Sequence, residues 1–599
     1  MLTALQSVCS RSFGFRLVGC CLFALASTSP SSSFSLRGFQ YPLLRQRRQT
    51  LPVFSSRLSA SPYTSLVDMP RDIIASIDQG TQSSRVILFD KKTRIVTARH
   101  QEHKQIHPQS GWVEHDPMEI LGNVRRLLHD SVIHYKHMRE KSPSLTLLRQ
   151  NSKASTEATG IELHAIGIAN QRETVVAWDK TTGKPLHNAI VWLDTRTQSL
   201  VDDFKQNSAK GAGLVEFLRE KTGLPLATYF SALKMKWLID NCAEVKKAVE
   251  EGRCCLGTID TWLLWNLTGG VEGGAFVTDV TNASRTLLMN LKTCQWDEEL
   301  LQLFGIPRQC LAEIRSNSEV YGTVKGTNSP LLEGTPVSGC AGDQQAACLG
   351  QLLFEEGQVK CTYGTGAFIL MNTGEKATPS THGLLTTPCY KLGKEAPVIY
   401  ALEGSIAIAG AAVSWLKHNL GLLSHAAETE ALLESVEDSE GVVFVPAFSG
   451  LYAPRWRPDA RGTILGLSQK TQRAHIVRAL FEGLGCQLRE VVEAMRSDTG
   501  LKELVSVRAD GGMSVNSPFL QLTADILQLP VERPVTSEVT SLGAAFAAGL
   551  AVGFWKDLEE VRDAVVGEEI FEPSKDAEWV SERVGLWDEG VKRSLGWSV

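Results

Sequence analysis

Two short segments of this 599-residue chain share one pattern, and the repeat constrains the fold strongly. Residues 77–90 read IDQGTQSSRVILFD and residues 362–374 read TYGTGAFILMNTG, so each places a Gly-Thr pair at a turn between extended apolar runs. The repeat predicts two similar α/β halves that face each other across a cleft. Turn N–H groups and hydroxyls of two such hairpins could bind a polyphosphate, because glycine permits close approach of the backbone. A Gly-Thr turn is common, and either turn taken alone is more often structural.

Beyond residue 71 the chain alternates short apolar runs with helical patterns, as α/β proteins do. The predicted strands are 73–77, 85–89, 164–170, 444–448 and 504–510. The clearest predicted helix spans about 475–496, where apolar residues recur every three or four positions and should pack on a sheet. The apolar stretch 541–555 is short and rich in small residues, so it predicts a helix packed inside the fold.

The first 68 residues have a composition of their own. They contain seven arginines, no lysine and the single acid Asp68, and residues 17–26 form an apolar run too short to span a bilayer as a helix. This segment fits a leader for a mitochondrion or plastid, or a secretory-type leader followed by a transit-like stretch. The alternative is that Met69 is the true start and the protein is cytoplasmic. In either case residues 1–68 are left out of the predicted fold.

Charge and cysteine usage narrow the classes of function. The net charge of -5 divides into +6 for residues 1–68 and about -11 for the rest, and an acidic body argues against nucleic-acid binding. The thirteen cysteines include no C-x-x-C spacing, so no zinc cluster or disulfide framework is predicted, and each cysteine is interpreted as a small buried residue. Residues 141–160 are polar and aperiodic, which indicates an exposed insertion.

The first hairpin carries a candidate phosphate and metal site. Asp78 is interpreted as a magnesium ligand, since Mg²⁺ takes one or two carboxylates together with phosphates and waters. Arg85 and the hydroxyls of Thr81, Ser83 and Ser84 would address phosphate oxygens. The competing interpretation makes Asp78 a turn-capping residue.

Asp343 lies at the predicted start of a helix within SGCAGDQQAACLG, residues 338–350. A carboxylate there is ordinarily an N-cap. The alternative role is general base, accepting the proton of a substrate hydroxyl as it attacks a phosphoryl group. The two roles are compatible.

Two further clusters suggest ligand contacts. Arg172 and Glu173 follow a predicted strand, where α/β sheets bind ligands, and a donor beside an acceptor suits a polyol. Their alternative is a solvated sheet edge. Residues 508–521 turn through Gly511 and Gly512 into a helix that begins near Asn516 or Ser517, a weak indication of a nucleotide site.

These clusters stand in an order that resembles the FGGY family of carbohydrate kinases, and within it the members that act on glycerol. The resemblance covers the body from Arg71 to about Val599. It rests on the segments DQGTQSSR (78–85), GWVEHDP (111–117), NQRET (170–174), GKPLHNAIVW (183–192), TYFSALK (228–234), GTIDTWLLW (257–265), TDVTNASRTLL (278–288), GDQQAA (342–347), TYGTGAF (362–368), DGGMSVN (510–516) and SLGAAFAAGLAVGFW (541–555).

The resemblance implies a two-domain, actin-like and ribonuclease-H-like α/β fold that binds ATP and substrate in the interdomain cleft. The implied domains are 69–350 and 351–599. The implied reaction is phosphorylation of glycerol by ATP, with Mg²⁺, to sn-glycerol 3-phosphate. The implied partners are glycerol, ATP and further copies of the chain in a dimer or tetramer, with no nucleic acid and no stable membrane insertion of the body.

The resemblance also implies individual roles, carried over position by position. Asp343 is the catalytic base and Asp78 the magnesium carboxylate. The implied glycerol-binding residues are Arg172, Glu173, Trp192, Tyr229, Asp343, Gln344 and Phe368. The implied ATP-binding residues are Thr81, Ser83, Arg85, Gly364, Thr365, Gly366, Gly410, Gly512 and Asn516.

The sequence departs from bacterial members of the family in three places. Gln82 replaces a small hydroxyl residue in the first hairpin, and Ser414 replaces a glutamine near adenine. Residues 324–336 lack the loop by which some relatives bind fructose 1,6-bisphosphate, so inhibition by that sugar phosphate is not expected. Two rivals are a family member acting on a pentulose or longer polyol, and an actin-like ATPase that needs no small acceptor.

Overall fold

The computed structural model describes residues 69–142, 160–207, 211–327, 329–565 and 567–597. The predicted leader, 1–68, and nearly all of the predicted insertion, 143–159, lie outside these ranges. Below, the first half means the described residues up to 350, and the second half means those that follow.

The first half contains fourteen described strands, six of which form one large sheet. Its strands are β1 (Asp72–Gln79), β2 (Ser83–Asp90), β3 (Ile95–Glu102), β4 (Glu114–His115), β5 (Glu162–Asn170), β6 (Val175–Asp179), β7 (Ala189–Ile190), β8 (Cys254–Thr258), β9 (Val277–Asp279), β10 (Met289–Asn290), β11 (Gln295–Trp296), β12 (Glu313–Arg315), β13 (Ser318–Thr323) and β14 (Pro336–Gly342). Its helices are α1 (Pro117–Glu140), α2 (Gln198–Asn207), α3 (Leu214–Thr222), α4 (Ser231–Asn241), α5 (Ala243–Glu250), α6 (Ile259–Leu267), α7 (Val280–Ser284), α8 (Glu298–Phe304) and α9 (Asp343–Gly350).

The second half contains nine described strands, seven of which form one large sheet. Its strands are β15 (Val359–Tyr363), β16 (Ala367–Asn372), β17 (Leu385–Tyr390), β18 (Ile399–Ile406), β19 (Val443–Val445), β20 (Thr463–Leu465), β21 (Val507–Asp510), β22 (Val531–Pro534) and β23 (Glu568–Phe571). Its helices are α10 (Gly410–His418), α11 (Glu428–Glu434), α12 (Arg473–Thr499), α13 (Ser517–Leu527), α14 (Val539–Val552), α15 (Leu558–Ala564) and α16 (Ala577–Ser594).

The two large sheets share one strand order. The first runs β3-β2-β1-β5-β14-β13, and the second runs β17-β18-β16-β15-β21-β22-β23, with β17 as one extra strand at its edge. In each, a hairpin and a further antiparallel strand are followed by two strands parallel to the first: β5 and β14 in one, β21 and β22 in the other. The internal repeat predicted from the Gly-Thr turns is therefore a repeat of topology. It places the ends of corresponding parallel strands at corresponding positions in the two halves.

Helix α14 belongs to the second half in sequence but packs on the first sheet. It contacts α9 and strands β1, β5 and β14. The approach is too close for side chains: a Cβ added at Gly543 would lie 1.8 Å from the Ala346 carbonyl oxygen, and one at Gly167 would lie 2.0 Å from that of Ala544. Small residues in 541–555 therefore serve close packing, as predicted.

The predicted elements are present with adjusted ends. The predicted helix 475–496 is α12, whose apolar stripe is buried. The predicted strand 444–448 ends early, at Val445, because Pro446 has no N–H to continue the ladder. Within the described residues no helix combines the length and apolarity needed to cross a membrane. The described cysteines are all free thiols, and each is buried except the half-buried Cys242.

Candidate functional site

The first hairpin pairs two opposite charges at its end. In the β1–β2 register Asp78 stands opposite Arg85, and Arg85 also binds the carboxylate of Glu538, which precedes α14. Burial raises the pKa of Asp78 to about 7; Arg85 opposes the shift, and the carboxylates of Glu538 and Asp343 add to it. The competing turn-cap interpretation of Asp78 is wrong, because the residue lies within β1.

The surroundings of Asp78 fit a divalent cation. Its carboxyl has two further carboxylates within electrostatic range, those of Glu538 and Asp343. Arg85 lies opposite Asp78 and pairs with Glu538, so one positive charge faces three carboxylates. A cation would add positive charge there, and Mg²⁺ accepts carboxylates together with phosphates and waters. Asp78 is accordingly the residue that would hold the ion.

Thr81 and Ser83, two other predicted residues, lie in the same hairpin as Asp78. The Thr81 hydroxyl accepts a hydrogen bond of 2.9 Å from the Trp192 indole N–H, which ties the hairpin to the predicted acceptor site. Ser83 opens β2 with a half-buried side chain, while the neighbouring Ser84 is buried. Of the predicted hydroxyls, Thr81 and Ser83 therefore remain accessible at the turn.

Arg172 and Glu173 lie beyond the end of β5, and both are buried. The Arg172 guanidinium donates hydrogen bonds of 2.8 and 3.0 Å to Glu403, and its Nε lies 3.4 Å from Asp343 Oδ1. Glu173 has φ of +61°, a conformation that non-glycine residues seldom adopt, and this turns the chain sharply after the strand. The solvated-edge alternative for this pair is wrong.

Two charged residues of this cluster were not predicted. Arg285 donates to Glu173 at 2.5 Å and to Glu403 at 3.0 Å. Glu403, on β18, joins the halves through these bonds; burial opposes its ionisation, but Arg172 and Arg285 lower its pKa to about 2. Arg285 lies in TDVTNASRTLL, one of the segments on which the resemblance rests. A charged residue within that segment was the signal that the sequence offered for it.

Asp343 is the first residue of α9, and its carboxylate lies beside the Arg172 guanidinium. The N-cap position is taken by Gly342, so the N-cap interpretation of Asp343 is wrong, although its Oδ1 accepts from the Gln344 N–H at 2.8 Å. The Asp343 side chain is 32% exposed, whereas that of Arg172 is 2% exposed. A carboxylate that is reachable but fixed beside a buried cation suits a general base.

Aromatic residues form one wall of the site. The Trp192 and Tyr229 rings meet edge to face with centroids 5.4 Å apart. The buried Lys234 ammonium donates to the carbonyls of Thr228 and Tyr229, at 2.8 and 2.5 Å, and so fixes the segment that carries Tyr229. Phe368 is half-buried on β16, and no ring contact joins it to Trp192 or Tyr229 in the part of the chain that is described.

The second hairpin is shaped by backbone bonds. The Gly364 N–H donates to the Gly366 carbonyl at 2.8 Å, and the Gly410 N–H, at the start of α10, donates to the Gly364 carbonyl at 3.0 Å. The Ala411 N–H donates to the Thr365 carbonyl, also at 3.0 Å. A Cβ at Gly366 would lie 2.4 Å from the Ile406 carbonyl oxygen. The structure thus brings Gly364, Thr365, Gly366 and Gly410 together.

The turn after β21 packs on the second hairpin. Gly511 has φ of +87°, and a Cβ there would lie 2.4 Å from the Tyr363 carbonyl oxygen. Gly512 borders open space. Asn516 caps α13 by accepting from the Phe519 N–H at 2.9 Å and donates to Thr429 at 3.1 Å, so its side chain is already occupied.

Comparison with known proteins identifies relatives across this whole region. Residues 73–350 and 359–552 match the N-terminal and C-terminal domain models of the FGGY family of carbohydrate kinases. The chain is 49% identical over 524 residues to a glycerol kinase of Brucella anthropi, covering 88% of this chain and 99% of that protein.

Solved structures give the same picture. A glycerol kinase of Plasmodium falciparum, crystallised with ADP, is 44% identical and superimposes with a TM-score of 0.79, covering 88% of this chain and 98% of that one. A ligand-bound xylulose kinase of Lactobacillus acidophilus is 23% identical, with a TM-score of 0.71 over 86% of this chain and 97% of that one; this second likeness is one of fold.

Proposed function

The chain belongs to the FGGY family of carbohydrate kinases and has the two-domain actin-like fold, and we propose that it transfers the γ-phosphoryl group of ATP to glycerol. The products are ADP and sn-glycerol 3-phosphate. The identity of 49% to a glycerol kinase across nearly the whole body supports glycerol rather than a longer acceptor.

One observation carries the proposal from the side of the site. The accessible carboxylate of Asp343 lies 3.4 Å from the Arg172 guanidinium, at the ends of neighbouring parallel strands and opposite the charged hairpin. Arg172 and Glu173 supply a donor and an acceptor, and Trp192 with Tyr229 supplies an apolar wall. A polyol has hydroxyls for the first pair and carbons for the second.

In the proposed mechanism Asp343 accepts the proton of the attacking hydroxyl while Arg172 holds that carboxylate in place. The oxygen then forms its bond to the γ-phosphorus, and the bond to the bridging oxygen of ADP breaks. Arg85 and the N–H groups of the two hairpins stabilise the charge of the transferred group. Bound Mg²⁺, held by Asp78, would neutralise phosphate charge.

The buried surroundings have a second purpose. Water competes with the acceptor for the phosphoryl group, so the site must exclude it. The ion pairs of Arg172 and Arg285 with Glu403 cross from one half to the other and are buried. They keep the two halves joined beneath the acceptor site.

A coupled ADP-release assay on the purified body, residues 69–599, tests the proposal. It compares glycerol, xylulose, ribulose and no acceptor, each with Mg-ATP. We expect release that depends on glycerol. Faster release with xylulose or ribulose would favour the pentulose rival, and equal release without acceptor would favour the ATPase rival.

We also propose the domain boundaries, the role of the leader and the oligomeric state. For the domains 69–350 and 351–599, the boundary near 350 is supported by family matches over residues 73–350 and 359–552. For the leader, residues 1–68 fused to a fluorescent protein should collect in a mitochondrion or plastid; a diffuse cytoplasmic signal would support a start at Met69. Sedimentation of the purified body would test the dimer or tetramer.

A further inference from the structure

A buried lysine lies directly behind the proposed acceptor site. Lys360, on β15, is completely buried, and its ammonium donates to Gln344 Oε1 at 2.5 Å and to the Thr362 hydroxyl at 2.9 Å. Gln344 follows Asp343 at the start of α9. A lysine of the second half therefore contacts the residue adjacent to the proposed base.

The bond fixes the orientation of the Gln344 amide. An ammonium can only donate hydrogen bonds, so its partner on the amide must be the oxygen. The Nε2 atom then occupies the other branch, away from Lys360. Within the described ranges no hydrogen bond from Gln344 Nε2 to another residue occurs, and the residue is 8% exposed. The two N–H donors of this amide, on the residue that follows Asp343, thus have no protein partner within those ranges.

A buried ammonium needs a reason, because burial of a charge is costly unless it is paired. Glu403 and Asp510 lie within electrostatic range of Lys360. Burial raises the pKa of Asp510 and Lys360 opposes that rise, while Lys360 adds to the lowering of the Glu403 pKa by Arg172 and Arg285. If Lys360 only balanced these charges, a direct hydrogen bond to the Gln344 oxygen would not be needed. Charge balance also gives no reason for the free Nε2 donors of Gln344.

We propose that Lys360 is a positioning residue for the acceptor: by binding Gln344 Oε1 it presents the Nε2 donors of Gln344 to a hydroxyl oxygen of the bound polyol. The hydroxyl that gives its proton to Asp343 is then oriented by a donor on its oxygen. The inference rests on the proposed function, because it needs a hydroxylic acceptor in this site.

Three variants test the assignment: Lys360→Met, Gln344→Met and the double variant. Lys360→Met keeps the apolar stem and removes the donors, so the amide is free to rotate. We expect each single variant to raise KM for glycerol by about tenfold, the effect of one hydrogen bond, with KM for ATP changed less than about twofold. Adding Lys360→Met to Gln344→Met should change KM for glycerol by less than about twofold, because both act through one contact.

Independent effects that multiply in the double variant would overturn the proposal, as would a rise confined to KM for ATP. Gln344→Glu covers the case in which Lys360→Met fails to fold. It keeps an oxygen for Lys360 and a similar volume but removes the Nε2 donors. It should melt no lower than wild type and still raise KM for glycerol about tenfold; an unchanged KM would contradict the role.

The wild-type assay separates this proposal from the proposed function. If wild type releases ADP equally well without any acceptor, the proposed function fails and the positioning role fails with it. If wild type depends on glycerol but the variants alter only stability, the proposed function stands and Lys360 is a structural cation alone.

Discussion

The two halves present the same hairpin with different chemistry. At the end of β1 and β2 the side chains of Asp78 and Arg85 face each other, and Glu538 joins them from the second half. Residues 361–367, which form the corresponding turn, contain no charged residue, and their shape comes from backbone bonds to the start of α10. The two hairpins thus have the same topology, but the first has charged side chains at its end and the second has glycines.

The parallel strands repeat this difference. Beyond β5 and β14 lie Arg172, Glu173 and Asp343, whereas beyond β21 lies a turn of two glycines. In the proposed function, the first half therefore contacts the transferred group and the acceptor, and the second half allows close approach of a nucleotide. The second half also returns Glu403 and Glu538 to the first, so the reactive site is complete only when both are present.

The largest expected effect comes from removing the charge of Asp343, the proposed base in the first half. Asp343→Asn keeps the shape of the side chain but cannot accept the proton of the acceptor. Turnover should fall by roughly 10²- to 10⁴-fold, as for the loss of a general base. ADP binding, measured by calorimetry, should stay within about threefold of wild type, well under the cost of a lost hydrogen bond to a charged group. Turnover near that of wild type would remove Asp343 from the role.

The next prediction concerns the glycine hairpin, and it contrasts two positions two residues apart. A Cβ at Gly366 would collide with carbonyl oxygens at 2.4 and 2.8 Å, whereas one at Gly364 would meet the nearest atom at 3.8 Å. Gly366→Ala should therefore weaken ADP binding by about 10- to 100-fold, equivalent to about 1.4–2.8 kcal/mol. KM for glycerol should change little.

Gly364→Ala is the matched control, with the same change of residue in the same turn. It should weaken ADP binding less than about threefold, because its added methyl group makes only an ordinary contact. Equal losses for the two variants would mean that the second hairpin acts through flexibility rather than through its fixed shape.

The next prediction concerns Glu538, which contacts Arg85 of the first hairpin from the second half. Its carboxylate occupies Arg85 and adds negative charge where phosphates would bind. In the absence of Mg²⁺, Glu538→Gln should tighten ADP binding by about 3- to 10-fold, on the order of 1 kcal/mol for a partly exposed pair. The control is Glu560→Gln, which removes a carboxylate paired with Lys91 at 2.8 Å on the surface. Weaker ADP binding by Glu538→Gln would show that this carboxylate supports Arg85 rather than competing with phosphate.

Local pattern was sufficient to predict the repeat, the two hairpins and α12. Each depends on signals within a few residues, such as a Gly-Thr turn or an apolar stripe. Asp78, Arg172 and Asp343 could be selected because polar residues follow apolar strands, and parallel strands end at one edge of a sheet. Their specific roles came from the resemblance.

Contacts between distant segments could not be read in this way. Glu403 lies within an otherwise ordinary strand, and only the tertiary structure shows that it pairs with Arg172 and Arg285. Packing of α14 on the first sheet depends on glycines in several elements at once. The partners of Lys360 and Glu538 were likewise invisible, because a charged residue in a sequence does not specify what neutralises it.

The smallest expected effect concerns two buried carboxyl groups of the first half, those of Asp260 and Asp279. Asp260 and Asp279 are both buried, and Asn282 links Asp279 to Asn170 at the end of β5 by bonds of 2.6 and 2.9 Å. Burial, with the charge of Asp279 as the second cause, raises the pKa of Asp260 to about 7. Since this value exceeds that of the unfolded chain, the protonated group contributes stability that is complete below about pH 4 and is lost as pH rises through 7.

Asp260→Asn imitates the protonated acid at every pH and should therefore gain on wild type as pH rises. Between pH 5 and pH 8 the melting temperature of the variant relative to wild type should increase by about 2–5 °C, measured without ligands. Because the charge of Asp279 is one cause of the shift, ionisation of either carboxyl affects the other, and the change should be spread over more than one pH unit. A difference that is constant with pH would mean that Asp260 stays ionised, with the Thr258 and Thr278 hydroxyls as sufficient partners.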